Sequence, residues 1–330
     1  RRVVITPQLM FTNANFGPFF IYPMEKSGNQ YVLDSKGSPV NGTPTDNGFN
    51  TGAWAVCARV APTSYVAKLV DHATISTTLD ITYPTPLSGD FKGSGTTSDP
   101  YQISSADDMI LLAQKTQTND FKGKNFVVTA DIDLSRTSRA WESIGQATAP
   151  FNGTFDGAGH TISGLTADGR GNSHTGLFGY NGPSALIKNL TLKDFRITTN
   201  GNWLAPAVAD NDGIIRNVTV TGLQAISNGD CTGGITARST GTVEDCTVSG
   251  SIGGIGNVAG IVGYNYGKIY RCSADASLER GGHLNDLYRD CAGIAGTSTT
   301  QEGYTAEIAD CIFRGTINES SGYGLAAGLA

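Results

Sequence analysis

GIIRNVTV (213–220) and GTVEDCTV (241–248) place Ile215 against Val243, Val218 against Cys246 and Val220 against Val248 at an offset of 28 residues. The pattern recurs as ALIKNLTL (185–192), GKIYRCSA (267–274) and AEIADCIF (306–313). Gly-rich apolar turns punctuate it: TGLFGY (175–180), GGITAR (233–238), AGIVGY (259–264), AGIAGT (292–297) and a last AGLA (327–330). Self-similarity at such a period marks a repeat architecture. Successive copies are 28, 28, 26 and 39 residues apart from Ile187 to Ile308, so the fourth unit carries extra residues, placed here at ERGGHLNDLYRDC (279–291).

Aligned copies produce apolar ladders. One runs Leu177, Ala207, Ile235, Ile261, Ile294, Leu329, and a second Ile187, Ile215, Val243, Ile269, Ile308. A third runs Leu190, Val218, Cys246, Cys272, Cys311, and a fourth Leu192, Val220, Val248, Ala274, Phe313. No copy has the i, i+3, i+4 spacing of a helix. Each is short, β-branched and bounded by Gly, Asn and Asp, which reads as strand. The alternation breaks inside each strand: Ile215 is odd, whereas Val218 and Val220 are even, and a straight strand cannot bury all three. A corner near Arg216–Asn217 resolves this, with equivalents at Lys188–Asn189, Glu244–Asp245 and Tyr270–Arg271. Short strands, regular corners and like-on-like ladders predict a right-handed parallel β-solenoid.

A solenoid needs its end covered, because an open strand edge pairs with other chains. SSADDMILLAQKT (104–116) is the best helix in the chain. Ser105 is the N-cap, Asp108 completes a capping box, and Met109, Ile110, Leu112 and Ala113 form an apolar stripe. The spacing predicts a helix over 105–115 that plugs the N-terminal end. The first 88 residues read differently, as six strands (1–11, 19–24, 31–34, 53–61, 65–70 and 73–83) between polar loops, which favours an antiparallel β-sandwich. Residues 89–100 read as a linker, and 101–330 as the capped β-helix with repeats of about 26–39 residues. The expected class is therefore all-β.

With 23 basic and 29 acidic residues the net charge is −6, and no basic stripe or aromatic platform suits nucleic acid. No apolar run is long enough for a membrane-spanning helix. The chain begins at Arg1 without a signal peptide and stops within a repeat, so a processed form with further coils is expected.

The run GSGTTSDPYQISSADDMILLAQ (93–114), then DIDLS (131–135), Trp141 with Ile144 and Gly145, FNGTFDGAGHTISGL (151–165) and TGLFG resembles the GLUG-motif repeat proteins. The resemblance covers roughly residues 93–330. It implies a β-helical surface protein of Gram-negative bacteria, adhesin-like or an accessory part of a secreted peptidase, with no catalytic residue in the repeats. Residues 1–90 weakly resemble the sandwich domains of fimbrillin-like proteins. Pro206 in APAVAD (205–210) departs from the Gly of other copies and suggests a bent coil.

Candidate chemistry is sparse. Six cysteines (Cys57, Cys231, Cys246, Cys272, Cys291, Cys311) could form disulfides in an exported protein. Three of them, though, share a ladder position held elsewhere by Leu190 and Val218, which reads as a stack of buried thiols. No spacing suits zinc. His160 resembles the Gly-His of polygalacturonase-like β-helix enzymes, yet it precedes the regular coils and reads as structural. His72, His174 and His283 read as solvated. Asp131 with Asp133, and Asp210 with Asp212, could offer oxygens to calcium but lack graded ligand spacing; no cofactor is expected. Tyr180 and Tyr264 share a repeat position, with Tyr266, Tyr270 and Tyr304 near that side, and a tyrosine row can stack on sugars. Asp210, Arg238 and Thr297 interrupt the row, so tyrosines stacking on one another is the competing reading. The contact candidates are Tyr180, Tyr264 and Tyr266 in the turns and His283, Asn285 and Tyr288 in the insertion.

Together these features describe an exported, non-enzymatic surface adhesin or fimbria-associated module, outer-membrane-associated or extracellular. Its expected partners are a host or microbial surface glycan or protein, or fimbrial subunits. A β-helix polysaccharide lyase or hydrolase and an inert stalk are the rivals, since fold does not fix function.

Overall fold

The structure, a computed structural model, describes residues 2–5, 19–27, 30–33, 53–61, 64–71, 77–80, 87–137, 141–167, 173–281, 290–300, 303–319 and 325–328, those before 81 as backbone alone. The chain divides into two units, Arg1–Thr85 with Ser138–Ala140, and Pro86–Thr137 with Trp141–Ala330. In the first unit, Phe19–Ser27 pairs antiparallel with Gln30–Leu33 and with Ala53–Ala61, which in turn pairs with Ser64–Asp71. Arg2–Ile5 pairs antiparallel with Thr77–Asp80.

The second unit is a parallel β-solenoid with three faces. A six-stranded sheet, one strand per turn, runs from His174–Thr175 through Trp203–Leu204, Cys231–Gly233, Asn257–Ala259 and Asp290–Ala292 to Leu325–Ala327. A five-stranded sheet stacks Phe178–Asn181, Val208–Asn211, Thr236–Ser239, Val262–Asn265 and Ala295–Ser298. The remaining strands form one sixteen-stranded sheet that wraps the third side.

The ladders read from the repeats are the observed registers. Ile187, Ile215, Val243, Ile269 and Ile308 pair in succession. So do Leu192, Val220, Val248, Ala274 and Phe313. The first four of each ladder are buried in one continuous core, as are Leu177, Ala207, Ile235, Ile261 and Ile294 of the turn ladder.

The corners have a single conformational cause. Asn189, Asn217, Asp245, Arg271 and Asp310 take φ of 54°, 52°, 55°, 51° and 56°. This left-handed geometry turns the strand and brings both parities inward; Asn and Asp tolerate it best among non-Gly residues. Asn217 Nδ2 donates to Asn189 Oδ1 (2.9 Å), and Asn189 Nδ2 to Asp156 Oδ1 (3.0 Å). Arg271 is held there by Asp245 (2.7 Å) and Glu244 (2.8 Å).

A second column admits no side chain. The carbonyls of Gly213 and Gly241 accept the N–H groups of Thr242 and Lys268 (both 2.9 Å). A Cβ on Gly241 would collide with Gly213 O, and one on Gly267 with Gly241 O. At the same corner, two residues earlier in each turn, buried amides and hydroxyls bond from turn to turn. Asn181 Nδ2 donates to Asn211 Oδ1 (3.2 Å), Asn211 Nδ2 to Ser239 Oγ (3.0 Å) and Asn265 Nδ2 to Ser298 Oγ (3.0 Å).

The helix α1 (Ala106–Lys115) lies between the two strands that begin the long sheet, Tyr101–Ile103 and Asn125–Val128. Ser105 Oγ accepts Asp108 N (3.2 Å) as N-cap, while Asp108 Oδ2 accepts the N–H of Ser104 (2.8 Å), one residue earlier than a capping box places it. Met109, Ile110, Leu111, Leu112 and Ala113 are buried in the solenoid core.

Three expectations need correction. Pro206 bends nothing: Leu177 N donates to its carbonyl (3.0 Å), and Trp203 and Leu204 stay in register with Cys231 and Thr232. It omits one rung, since the equivalent N–H groups of Gly234, Gly260 and Gly293 each donate to the next turn. The extra residues of the fourth unit lie in two places. Tyr264 and Thr297 are paired 33 residues apart rather than the 26 of Arg238 and Tyr264, and the rest of the excess falls between Ser298 and Glu307. Glu279 and Arg280 belong to the strand Ser273–Arg280. Finally, Tyr270 is not on the tyrosine side: it sits in the long sheet, its hydroxyl on Glu307 Oε2 (2.5 Å).

Candidate functional site: an aromatic and charged row on the five-stranded face

The residues that interrupt the tyrosines complete the row. Tyr180, Asp210, Arg238, Tyr264 and Thr297 are paired one after another across five turns. Each strand of this face has the pattern buried, buried, half-buried, buried in its first four turns, and the half-buried place is this one. Beside it the six-stranded sheet pairs His174 with Trp203.

These side chains touch in sequence. His174 lies over the Tyr180 ring with centroids 4.0 Å apart, and Tyr180 Oη is 2.8 Å from His174 Nδ1. Trp203 stacks beyond His174 at 6.2 Å and meets Tyr264 edge-on at 5.5 Å, and Tyr264 stacks on Tyr266 at 6.5 Å. Arg238 ties the charges to the rings: Nη1 is 2.6 Å from Asp210 Oδ1 and 3.6 Å from Asp212 Oδ1, and the guanidinium lies 5.7 Å from the Tyr266 ring centre. Asp210 Oδ2 is also 3.7 Å from His174 Nε2. Burial pushes the Tyr180 hydroxyl pKa up and the Asp210 charge adds to this. Burial works against the Arg238 charge, but Asp210 more than offsets it and the pKa rises. Trp203 and Tyr264 rest on small residues, Ala205, Cys231 and Ala237.

His174 is therefore not the solvated loop residue expected from its neighbours in sequence. Its side chain is 17% exposed, between Tyr180 and Trp203. The signal that finds it is the ladder itself, which sets residue 174 beside 203 and one strand from 180. His283, Asn285 and Tyr288 lie outside the described residues, as do His72 and Leu329, and Cys57 is described by its backbone alone.

The acidic pairs considered for calcium are engaged within the protein. Asp131 Oδ1 accepts Thr161 N (2.9 Å) and faces His160 Nδ1 (3.2 Å), which together hold its carboxyl below the ordinary value. Asp133 accepts Ser135 N (2.8 Å) and Asp212 the Thr240 hydroxyl (2.5 Å). Among the described residues no group of three His, Cys, Asp or Glu gathers as a metal site would.

Cys231, Cys246, Cys272, Cys291 and Cys311 are thiols. Cys246, Cys272 and Cys311 each donate to the backbone carbonyl two residues earlier (3.1, 3.3 and 3.2 Å). The Cys246 thiol and burial push the Cys272 pKa far up, and Cys272 and burial do the same to Cys311, which disfavours the thiolate at both.

No family model matches the chain. It is similar to halomucin of Haloquadratum walsbyi, 30% identical over 230 residues, which is 64% of this chain and 2% of halomucin. It is also similar to an Evansella cellulosilytica protein provisionally named a Gly-rich membrane protein, 32% identical over 122 residues, 35% of this chain and 13% of that protein. The chain thus spans a small fraction of the curated relatives it matches. Among solved structures it is similar to a Bacteroides ovatus protein provisionally described as an immunoglobulin A1 protease, with 15% identity, a TM-score of 0.43 and coverage of 72% of this chain and 86% of that one. No helix among the described residues is long and apolar enough to cross a membrane.

Proposed function

We propose that this chain is part of an exported cell-surface protein and acts there as a non-enzymatic binding solenoid, an adhesin or fimbria-associated module. The observation that carries the reading is the row from Tyr180 to Tyr266. Half-buried rings and a matched ion pair, fixed on a stack of paired strands, form a rigid amphipathic surface of the kind used in recognition. One relative is named as a mucin and the other as a membrane protein, which fits display outside the cell. Kinship with the GLUG-motif proteins, which rests on the run 93–165 and the following TGLFG, is part of the same proposal, as is that of the first unit with fimbrillin-like domains. The partner is a glycan or a surface protein, and His283, Asn285 and Tyr288 are the contact candidates outside the row.

A lyase or hydrolase is the second reading, favoured by the short approach of Tyr180 to His174. The raised Tyr180 pKa keeps that hydroxyl protonated near neutrality, and Asp210 is committed to Arg238, so neither is poised as a base. The test is Trp203→Ala and Tyr264→Ala in the whole chain, scored for binding to mucin and polysaccharide surfaces and for release of reducing or unsaturated ends. A hot-spot ring contributes about 2 kcal/mol, so binding should fall roughly 30-fold with no product formed. Unchanged binding sinks the row; product formation favours the enzyme.

A further inference from the structure

A cleft of about 440 Å³ opens where the Tyr180 end of the row meets the first turn of the solenoid. Its lining includes Gln117, Glu142, Ser143, Gln146, Ser173, His174 and Tyr180. Two of these side chains, His174 and Tyr180, also belong to the row, so cleft and row form one continuous surface.

The floor is fixed in advance. Ser143 Oγ donates to Gly176 O (2.9 Å) and accepts Gly176 N (3.2 Å). Gly145 N donates to Thr116 Oγ1 just past α1 (3.0 Å). Gly145 takes φ 79°, and the space a Cβ would need is filled by the Tyr180 carbonyl, so only glycine lets this loop press against the aromatic strand. Gln146 and Ala149 exchange backbone hydrogen bonds in both directions (3.1 and 3.0 Å), which holds the rim. Gln117 is anchored through Nε2 to Ala113 O (3.3 Å).

The chemistry of the lining is selective. Amides and hydroxyls offer both donors and acceptors, and the His174–Tyr180 pair supplies an apolar wall. Among the described residues no Lys or Arg lines the cleft, and its amides and hydroxyls suit uncharged hydroxyl groups better than the phosphate, sulfate or uronate groups that call for a fixed cation. Among the described residues the side chains of Gln146 and Ser173 have no partner, and Gln146 is only half-exposed. Such a set suits a neutral polyol. The volume lies in the range of small-molecule sites.

We propose that the cleft holds the terminal residue of a neutral saccharide chain, whose next sugars run over Trp203 and Tyr264. The inference rests on the binding reading above and assigns its ligand class and polarity.

The experiment is calorimetric titration of the full chain with tetrasaccharides of glucose, mannose, galactose and N-acetylglucosamine, with oligogalacturonate and a sulfated galactan oligomer in parallel. Gln146→Ala, Ser173→Ala and Trp203→Ala are compared with the parent, with melting temperature as the folding control. The expected result is binding of a neutral tetrasaccharide that Gln146→Ala and Trp203→Ala each weaken at least 10-fold at unchanged melting temperature. Binding that falls with Trp203→Ala but not with Gln146→Ala or Ser173→Ala overturns the cleft and leaves the row. Preferential binding of the acidic oligomers also overturns it. If no saccharide binds, the glycan reading and the cleft assignment fall together.

Discussion

Asn217 offers the sharpest test of the corner, because the order of two substitutions there should invert. In an ordinary strand Gly is worse than Ala by about 0.5–1 kcal/mol, through the freedom it regains on unfolding. Asn217 sits at φ 52° in the middle of the strand Ile214–Ser227. Forcing a Cβ-bearing residue other than Asn or Asp into that geometry costs about 1–2 kcal/mol. Both substitutions lose the hydrogen bond to Asn189 Oδ1, exposed and near the lower end of about 0.5–1.5 kcal/mol. The alanine variant therefore bears strain plus the lost bond, and the glycine variant an entropic term plus the same bond. The expected outcome is that Asn217→Ala is less stable than Asn217→Gly by about 0.5–1 kcal/mol, the strain less the entropic term. Urea unfolding followed by far-ultraviolet circular dichroism measures this, with the same pair of substitutions at Thr219, two residues along the strand, as the normal-order control. If Asn217→Ala is as stable as Asn217→Gly or more so, the left-handed corner is the wrong explanation for the change of parity.

Two further outcomes are expected. Gly241→Ala drives a Cβ into the Gly213 carbonyl and should destabilise by about 1–3 kcal/mol, as overpacking does, whereas Gly281→Ala, which meets nothing, should stay within about 0.5 kcal/mol in the same urea assay. Asp156 is partly buried, which would raise its pKa, but the N–H of Ala158, the Asn189 amide and Lys188 together hold it below 3.8. Its folded pKa being the lower one, its contribution is complete above pH 3.8 and is lost as pH falls through the folded value. The stability gap between the parent and Asp156→Asn should thus shrink below about pH 4; a gap that stays constant from neutral pH down to about pH 2 would contradict the assigned contacts.

The ladders were legible because Ile187, Ile215, Val243 and Ile269 repeat one burial environment, and burial is what a hydrophobic pattern records. The corners were legible for a related reason: the switch of parity between Ile215 and Val218 has no other solution in a paired strand. The two-place insertion was hidden, since a period reports only the total excess between Ile269 and Ile308. The site was half visible. Alignment already set Asp210 and Arg238 in the place of Tyr180 and Tyr264, but read as a list they interrupt a tyrosine row. Only the spacing of paired strands, about 4.7–4.9 Å, shows them as its charged members. His174 failed for the same reason, its partners coming from the next turn and the adjacent sheet.

The turn-to-turn bonds of Asn181, Asn211 and Ser239, and the strand ladders beside them, all run along the stacking axis. Tension applied along that axis loads each turn as a zipper, bond after bond, rather than shearing a whole sheet at once. A released turn of 28 residues, which occupied about 4.8 Å of the stack, yields roughly 90 Å of chain. Coupled turns of this kind should absorb pulling work in discrete steps and re-form from the neighbour still folded, so the stack is expected to lengthen under load turn by turn.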